Sequence, residues 1–296
     1  MWLWLVIFGH LINAVAFLVD KILLIHVVRP PHAYAFFIGA LSAVALFLVP
    51  FGVVGVSAAG IAADLLVGIL FIIALWSFFA ALKVGEASRV VPFLGGGIPV
   101  VTWIIERILG ERFMALELVA IVVLTLGTVL IAWEPKGFYH GKHQTPWHLA
   151  VLAILCFGIS MALARLLFET QGFIAGFFWQ RMGSVLAALG MLFIPRWRRE
   201  IAIALHELPL PSAAAFLGNQ LLGALGFFSL QFALTRVSAT IVQSLQGVQY
   251  VFLFVLVLVL SVRYPKLLRE QVTPVTIMLK LAATALIVSG IAVLAR

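Results

Sequence analysis

The spacing of polar residues along this chain is the feature that most constrains its fold. Apolar stretches of about twenty residues follow one another, separated by short polar turns. Only 10% of the residues are charged and 64% are hydrophobic, whereas a soluble domain carries about 25% charged residues. So few charges cannot cover a surface exposed to water, but a bilayer accepts an apolar exterior. The sequence therefore predicts an all-α membrane protein with about ten transmembrane helices.

The net charge of +8 would suggest nucleic acid as the partner of a soluble protein, but here the basic residues are scattered through short loops. They are better explained as topology signals and contacts with anionic headgroups. The expected partners are therefore the lipid bilayer and a small-molecule substrate, with no nucleic acid. The apolar segment from Trp2 lacks a basic leader and a small-residue cleavage site, so we interpret it as a retained first span.

The turns divide the chain into two sets of five spans. The first five are expected near residues 2–27, 33–50, 60–82, 87–108 and 115–133, and the second five near 148–168, 173–194, 213–235, 239–262 and 274–295. A first five-helix repeat then occupies residues 1–135, a linker 136–146, and a second repeat 147–296. A short interfacial helix is expected in the loop Arg196–Pro211.

The two halves align with each other. The segment Glu86–Pro99 (EASRVVPFLGGGIP) matches Val237–Tyr250 (VSATIVQSLQGVQY), with Gly96 opposite Gly247. Because each half has an odd number of spans, the second half must enter the membrane in the opposite orientation. Inverted repeats of this kind are typical of secondary transporters. The alternative is that apolar helices align with one another by composition alone.

Polar residues line one face of the first span. At 100° per residue, His10, Asn13, Asp20 and Lys21 fall within an arc of about 100°. Polar groups inside a membrane span are costly and usually face a cavity or a partner. We assign a coupling or gating role to Asp20 and Lys21. A structural ion pair near the helix end is the alternative.

Amide side chains mark two spans of the second half. Gln243, Gln246 and Tyr250 share one face of the ninth span, and Gln220 and Gln231 share a face of the eighth. A single glutamine in a span often only bridges two helices. Two such faces in the same half favour a water-filled cavity.

The fourth span contains Pro92, Gly96 and Pro99 near its middle. Proline removes a backbone donor and clashes with the preceding turn, so we expect a kinked or loosened helix whose freed carbonyls meet a substrate. Close packing of helices at the glycines is the alternative.

Arg181 lies near the middle of the seventh span, where a charge costs about 2.5–3.5 kcal/mol. It must face an aqueous cavity or an acid, and Asp64 and Glu117 are possible partners. Intramembrane cations outnumber the acid Asp20, which favours an anionic or zwitterionic substrate. The predicted substrate cavity comprises His10, Asn13, Trp76, Pro92, Gly96, Pro99, Arg181, Gln220, Gln231, Gln243, Gln246 and Tyr250.

Catalytic motifs are absent from the sequence. It has no Gly-rich phosphate loop of the Walker type and no nucleophile or zinc motif. His140, His143 and His148 lack a cysteine or acid at metal-binding spacing, so we interpret them as solvated loop residues. No enzymatic activity, metal or cofactor is expected. A membrane-embedded enzyme and a scaffold subunit without transport activity remain the alternatives to a transporter.

The tract ALKVGEASRVVPFLGGGIPVVTWIIERILGERF resembles the EamA-type repeat of the drug/metabolite transporter superfamily. Pro99 carries the repeat's proline and Leu109–Glu111 its leucine-glycine-glutamate turn. In the second half Gln249 and Tyr250 occupy the region of that proline. The first span lacks the membrane glutamate of the superfamily's small multidrug pumps, so the resemblance does not extend to proton-driven export of lipophilic cations.

The resemblance implies a ten-helix secondary transporter that moves a small polar metabolite by alternating access around a central cavity. We expect it in a prokaryotic plasma (inner) membrane. Its substrate, coupling ion and oligomeric state are left open.

Membrane orientation can be predicted from the basic residues in the short loops. If the N-terminus is cytoplasmic, as the resemblance implies, five basic residues lie at cytoplasmic ends: Arg107, Arg112, Arg165, Arg236 and Arg296. Eleven then lie at the opposite ends: Arg29, Lys83, Arg89, Lys136, Lys142, Arg196, Arg198, Arg199, Arg263, Lys266 and Arg269. Because cytoplasmic loops are normally the more basic, this distribution favours both termini outside.

Reporter fusions after Arg296 test this orientation. We expect an exterior-only reporter to be active there and a cytoplasm-only reporter to be silent, because the positive-inside rule places the C-terminus outside. The reverse pattern would show that the charge count misleads for this chain.

Overall fold

The computed structural model describes residues 2–28, 30–53, 55–84, 87–133, 146–207, 209–263 and 274–295, and the regular elements in these ranges are all helical. The first half contains a 3-10 helix, Ser42–Phe51, and the α-helices α1 (Trp2–His26), α2 (Pro31–Leu41), α3 (Ala58–Val84), α4 (Ala87–Ile108) and α5 (Ala115–Ala132). The second half contains α6 (Trp147–Gln171), α7 (Phe173–Met191), α8 (Pro195–His206), α9 (Leu210–Ala233), α10 (Ala239–Ser244), α11 (Gln246–Arg263) and α12 (Pro274–Leu294). The expected linker, 136–146, lies outside the described residues except for Pro146.

Nine helical segments in these ranges are long and apolar enough to cross a bilayer, which identifies a multi-pass membrane protein. They are α1, α2 with the 3-10 helix, α3, α4, α5, α6, α9, α10 with α11, and α12. The expected tenth span corresponds to α7, which meets the criterion only together with α8, and these two helices meet at 104°. Gln180 and Arg181 interrupt the apolar character of α7, and both are buried inside the protein.

Helix α7 packs closely against α3 because small residues meet at the crossing. A Cβ added to Gly68 would lie 1.9 Å from the Gln180 carbonyl oxygen, and one added to Gly183 would lie 2.2 Å from that of Leu65. On the other side, Gly39 of α2 approaches the Ser184 backbone in the same way. Glycines at such crossings let backbones approach within van der Waals contact, which drives helix association in lipid.

The sequence predicts a kinked or loosened fourth span. Helix α4 continues through Pro92 and Pro99, so it is not interrupted there, and a kink stays a prediction. Its glycines make room for neighbours: a Cβ on Gly96 would lie 2.6 Å from Val129. The ninth span divides at Leu245 into α10 and α11.

The short helix expected in the loop before α9 is α8, which packs on α2. Its Trp197 ring stacks on His32 at 5.2 Å and contacts the Trp76 ring at 5.3 Å. Glu200 lies 3.1 Å from the His32 ring nitrogen and accepts a hydrogen bond from Arg196 at 2.9 Å. The Arg196 guanidinium thereby lowers the pKa of the Glu200 carboxyl.

Substituting Gly68 tests the α3–α7 crossing. We expect Gly68→Ala to destabilise the protein by at least about 1–3 kcal/mol, the usual effect of overpacking, because the new methyl group meets backbone that cannot rotate away. The measurement is the thermal unfolding midpoint of the purified protein in detergent.

The matched control is Gly190→Ala in α7, where an added Cβ meets no atom within 4 Å. Alanine there should be neutral or slightly stabilising, because it restricts the unfolded chain. Equal midpoints for the two variants would contradict a tight crossing at Gly68.

Candidate functional site

A cavity of about 830 Å³ lies among α1, α3, α7, α9, the 3-10 helix and the α10–α11 break. This volume is within the range of about 300–1,000 Å³ that small-molecule sites occupy. The structure brings nine predicted residues to its wall: His10, Asn13, Asp20, Arg181, Gln220, Gln231, Gln243, Gln246 and Tyr250.

Four predicted cavity residues lie elsewhere. Trp76 is not among the cavity residues because it packs against Trp197 of α8. Pro92 and Pro99 are buried within α4, and Gly96 faces α5. These four residues do not line this cavity, because they pack between helices instead. The side chain of Lys21 and the residues His140 and His143 lie outside the described part of the chain.

Neighbouring helices supply hydrogen bonds at the break in the ninth span. Around Leu245 the regular pattern is lost, since the Val248 N–H donates to the Leu245 carbonyl only three residues back, at 2.9 Å. The Nε2 of His10 lies 3.3 Å from the Val242 carbonyl oxygen. The Thr128 hydroxyl, which donates to the Leu124 carbonyl of its own helix at 2.8 Å, also lies 3.3 Å from the Ser244 carbonyl oxygen. Side chains of α1 and α5 thus stabilise an irregular backbone at cavity depth, which membranes tolerate only inside protein or beside a cavity.

His10 also connects the two sides of this break. Its Nδ1 lies 3.4 Å from the Gln249 side-chain oxygen in α11, while its Nε2 faces Val242 in α10. A neutral imidazole carries one N–H, so His10 donates to one of these two oxygens and lies in contact with the other, between α10 and α11.

Asp20 accepts hydrogen bonds from three neutral side chains. Tyr34 of α2 donates its hydroxyl to Oδ1, Asn219 of α9 donates at 2.7 Å, and Gln220 of α9 donates at 3.2 Å. Hydrogen bonds to a carboxylate are the stronger kind. Asp20 therefore holds α1, α2 and α9 together at one end of the cavity.

Arg181 projects into the cavity among aromatic rings. Its guanidinium carbon lies 4.8 Å from the ring centre of Phe71, 5.4 Å from that of Phe177 and 4.7 Å from that of Phe227. Only 8% of the residue is exposed, and its Nε is buried without a hydrogen-bond partner. Cation–π contacts supply about 0.5–2 kcal/mol each, but they satisfy no N–H donor by hydrogen bonding.

Neither acid proposed as a partner of Arg181 pairs with it. The Asp64 carboxylate accepts a hydrogen bond from Gln180 at 3.0 Å, one residue away on a different face of α7. Glu117 accepts from the Met114 backbone N–H at 2.7 Å and so caps its own helix. Arg181 makes no hydrogen bond or ion pair with any residue that the structure describes.

A buried carboxylate joins α4 to the start of α10. Glu106 of α4 accepts hydrogen bonds from the backbone N–H groups of Ala239 at 2.7 Å and Thr240 at 3.0 Å, and from the Thr240 hydroxyl at 2.5 Å. It therefore caps α10 from the other half of the chain, at the positive end of the helix dipole.

Arg165 of α6 extends the hydrogen-bond network around Glu106. Its guanidinium lies 3.7 Å from Glu106, 3.1 Å from Glu111 and 2.8 Å from Glu169, and it donates to the Leu234 carbonyl at 3.0 Å. A buried carboxylate and a half-buried guanidinium with this many partners join α4, α6, α9 and α10 into one assembly.

The sequence analysis missed four contributors: Tyr34, Asn219, Glu106 and the network of Arg165. Asn219 stands beside Gln220 in α9, and that adjacency was a usable signal. Tyr34 and Glu106 gave none, because each is a single polar residue near a helix end, where polar residues are ordinary.

Metal binding finds no support in the described ranges, where no group of three His, Cys, Asp or Glu side chains could hold an ion.

Comparison with known proteins gives a fold without a function. No protein-family model matches the chain. No curated protein matches it either. A solved structure described as "Crystal structure of protein" is similar, with a TM-score of 0.65 and 17% sequence identity over 98% of this chain and 94% of its own. At that identity the similarity shows the fold alone: this arrangement of helices exists in another protein over nearly its full length.

Replacing Glu106 tests how much its hydrogen bonds to α10 stabilise the protein. We expect Glu106→Gln to lower the free energy of unfolding by about 1.5–3 kcal/mol, because an amide offers one acceptor oxygen where the carboxylate serves three donors and Arg165. Thermal or denaturant unfolding in detergent measures the change.

Glu169→Gln is the matched control, since it removes a more exposed carboxylate from the same Arg165. Exposed ion pairs contribute little, so its stability should stay near that of the unmodified protein. Equal losses in both variants would mean that Glu106 acts only as one more ion-pair partner.

Proposed function

We propose that this protein is a secondary transporter that moves a small anionic or zwitterionic metabolite across a membrane by alternating access. The observation that carries the proposal is one cavity of about 830 Å³ that is lined by both halves of the chain and holds polar side chains within an apolar wall. The EamA-type resemblance agrees with this function and favours a prokaryotic plasma membrane.

Helix packing supports an inverted repeat. If the halves correspond, α1 matches α6, α2 with the 3-10 helix matches α7, α3 matches α9, α4 matches α10 with α11, and α5 matches α12. Contacts then occur in matching pairs: α3 packs on α6 as α9 packs on α1, and α4 packs on α6 as α11 packs on α1. The helices α5 and α12, which match each other, pack directly together.

Several helix contacts differ between the halves, and the largest difference lies where α3 meets α7. The helix α3 packs along α7 through Gly68 and Gly183, whereas α9 and the 3-10 helix are separated by the cavity. The α2 part of the same span does contact α9, where Phe216 meets the Tyr34 and Phe37 rings. An inverted repeat whose halves adopt different arrangements is open on one side, and exchanging those arrangements would open the other.

The cavity also offers polar groups that a substrate can use. The side-chain oxygens of Gln231 and Gln246 are buried without a hydrogen-bond partner. Buried polar atoms normally find one, and unpartnered ones cost about 1–3 kcal/mol. These amides suit a polar ligand better than a purely structural core.

Uptake into proteoliposomes tests the function directly. A library of labelled organic acids, amino acids and neutral metabolites should yield saturable uptake of at least one anion or zwitterion, and liposomes without protein should show none. Absence of saturable uptake across the library, in either direction of loading, would contradict a transporter of this substrate class.

A reversible crosslink tests the motion. In a Cys156→Ala background, cysteines replacing Asp64 and Gln180, whose side chains meet at 3.0 Å, can be joined by a short reducible reagent. We expect crosslinking to stop uptake and reduction to restore it, because alternating access requires α3 and α7 to separate.

The matched control joins cysteines at Arg196 and Glu200, one turn apart within α8. That crosslink spans no moving boundary and should leave uptake unchanged. Full uptake by the crosslinked α3–α7 protein would show that this crossing stays closed during any transport cycle.

A further inference from the structure

The guanidinium of Arg181 lacks hydrogen-bond acceptors at a site where other charged groups have them. Arginine carries five N–H donors in a rigid fork that fits a carboxylate or phosphate. Three phenylalanine rings stabilise the cation in the absence of a counter-ion, and no described residue accepts its hydrogen bonds. The fork is therefore available to a ligand.

The other charged residue of the cavity wall is already satisfied. Asp20 accepts from Tyr34, Asn219 and Gln220, so it has less need of a ligand ammonium. Among the described residues that line the cavity, Asp20 and Arg181 are the acidic and basic side chains. Arg181 is therefore the charged side chain of the cavity wall that still has N–H donors for a ligand, and such donors suit an acidic group.

Apart from its amide side chains and His10, the wall is largely apolar and aromatic. Its phenylalanines are Phe17, Phe47, Phe71, Phe78, Phe157, Phe177, Phe227 and Phe228. A fully hydrated small anion would leave these rings against water, which is unfavourable in proportion to the apolar area exposed. A ligand whose body is hydrocarbon would cover them.

The opening of the cavity faces the same kind of environment. Phe47 of the 3-10 helix is 78% exposed, and Leu221 and Leu225 of α9 are 62% and 59% exposed. All three stand within candidate membrane spans, so lipid is the expected medium beside them. A 3-10 helix longer than three or four residues is uncommon and often marks strain or a hinge, and this one has ten.

We propose that this cavity binds an amphiphilic organic anion, with its single acidic group on Arg181 and its hydrocarbon body directed toward the lipid-facing opening between the 3-10 helix and α9. The assignment deepens the proposed transport function by naming its substrate class, but binding can be measured without transport.

Competition binding on the full chain in electroneutral phosphatidylcholine nanodiscs tests the assignment. The probe is radiolabelled dodecanoate, with binding to empty nanodiscs subtracted, and the competitors are dodecyl phosphate, dodecanol, dodecylammonium and acetate. We expect dodecanoate or dodecyl phosphate to compete at least tenfold better than dodecanol or dodecylammonium, and acetate to compete weakly. The stronger of the two anions identifies a carboxylate or a phosphate as the preferred acidic group.

Variants locate the site. Arg181→Gln should weaken dodecanoate binding at least tenfold while leaving dodecanol unchanged, and Arg181→Lys should retain part of the preference for the anion. Arg196→Gln removes the same charge from the exposed surface of α8 and should bind like the unmodified protein.

Equal competition by dodecanol and dodecanoate would overturn the proposal, because apolar filling alone would then explain binding. This comparison uses the unmodified protein, so it holds even if Arg181→Gln fails to fold. Unchanged dodecanoate binding by folded Arg181→Gln would also overturn it. If dodecanoate binds through Arg181 but no substrate enters proteoliposomes, the transport function fails and the binding site stands.

Discussion

A bilayer offers no hydrogen bonds to the groups that a protein carries into it, and this constraint decides where each polar residue of this chain lies. Glu106 is buried because the first N–H groups of α10 need an acceptor, and it comes from the opposite half of the chain. His10 and Thr128 approach the break at Leu245 because carbonyls there are no longer served by the regular helix pattern. The bonds that make an irregular helix tolerable also fix which helices surround the cavity.

Arg181 departs from this pattern, and its position is informative for that reason. Asp20 and Glu106 each have three or more donors, whereas Arg181 has ring faces alone. An acidic side chain paired with Arg181 would stabilise the protein more. Asp64 does not supply it, because its carboxylate accepts a hydrogen bond from Gln180 instead. Aromatic rings stabilise the guanidinium without cancelling its charge, so the cation can still attract an anionic ligand.

Much of the fold could be predicted, because hydropathy and helical spacing are direct consequences of the solvent. The amide faces of α9 and the ninth span predicted the cavity-facing side of both helices, since a helix fixes which residues share a face. The break at Leu245 could not be predicted, because no proline or glycine pair marks it and it depends on partners in α1 and α5. The position of Trp76 could not be predicted for a related reason. An aromatic ring suits a cavity wall and a contact between helices equally, and Trp76 packs against Trp197 of α8.

The 3-10 helix also has a consequence for distance along the membrane normal. It rises about 2.0 Å per residue, so its ten residues cover about 20 Å, where an α-helix of the same length would cover about 15 Å. The second span thus extends further along its axis than an α-helix with the same number of residues would. Rewinding it as α-helix would retract one end by about 5 Å and turn successive side chains around the axis. A change of helix type in this segment would therefore shift one wall of the cavity along the helix axis and rotate its side chains at the same time.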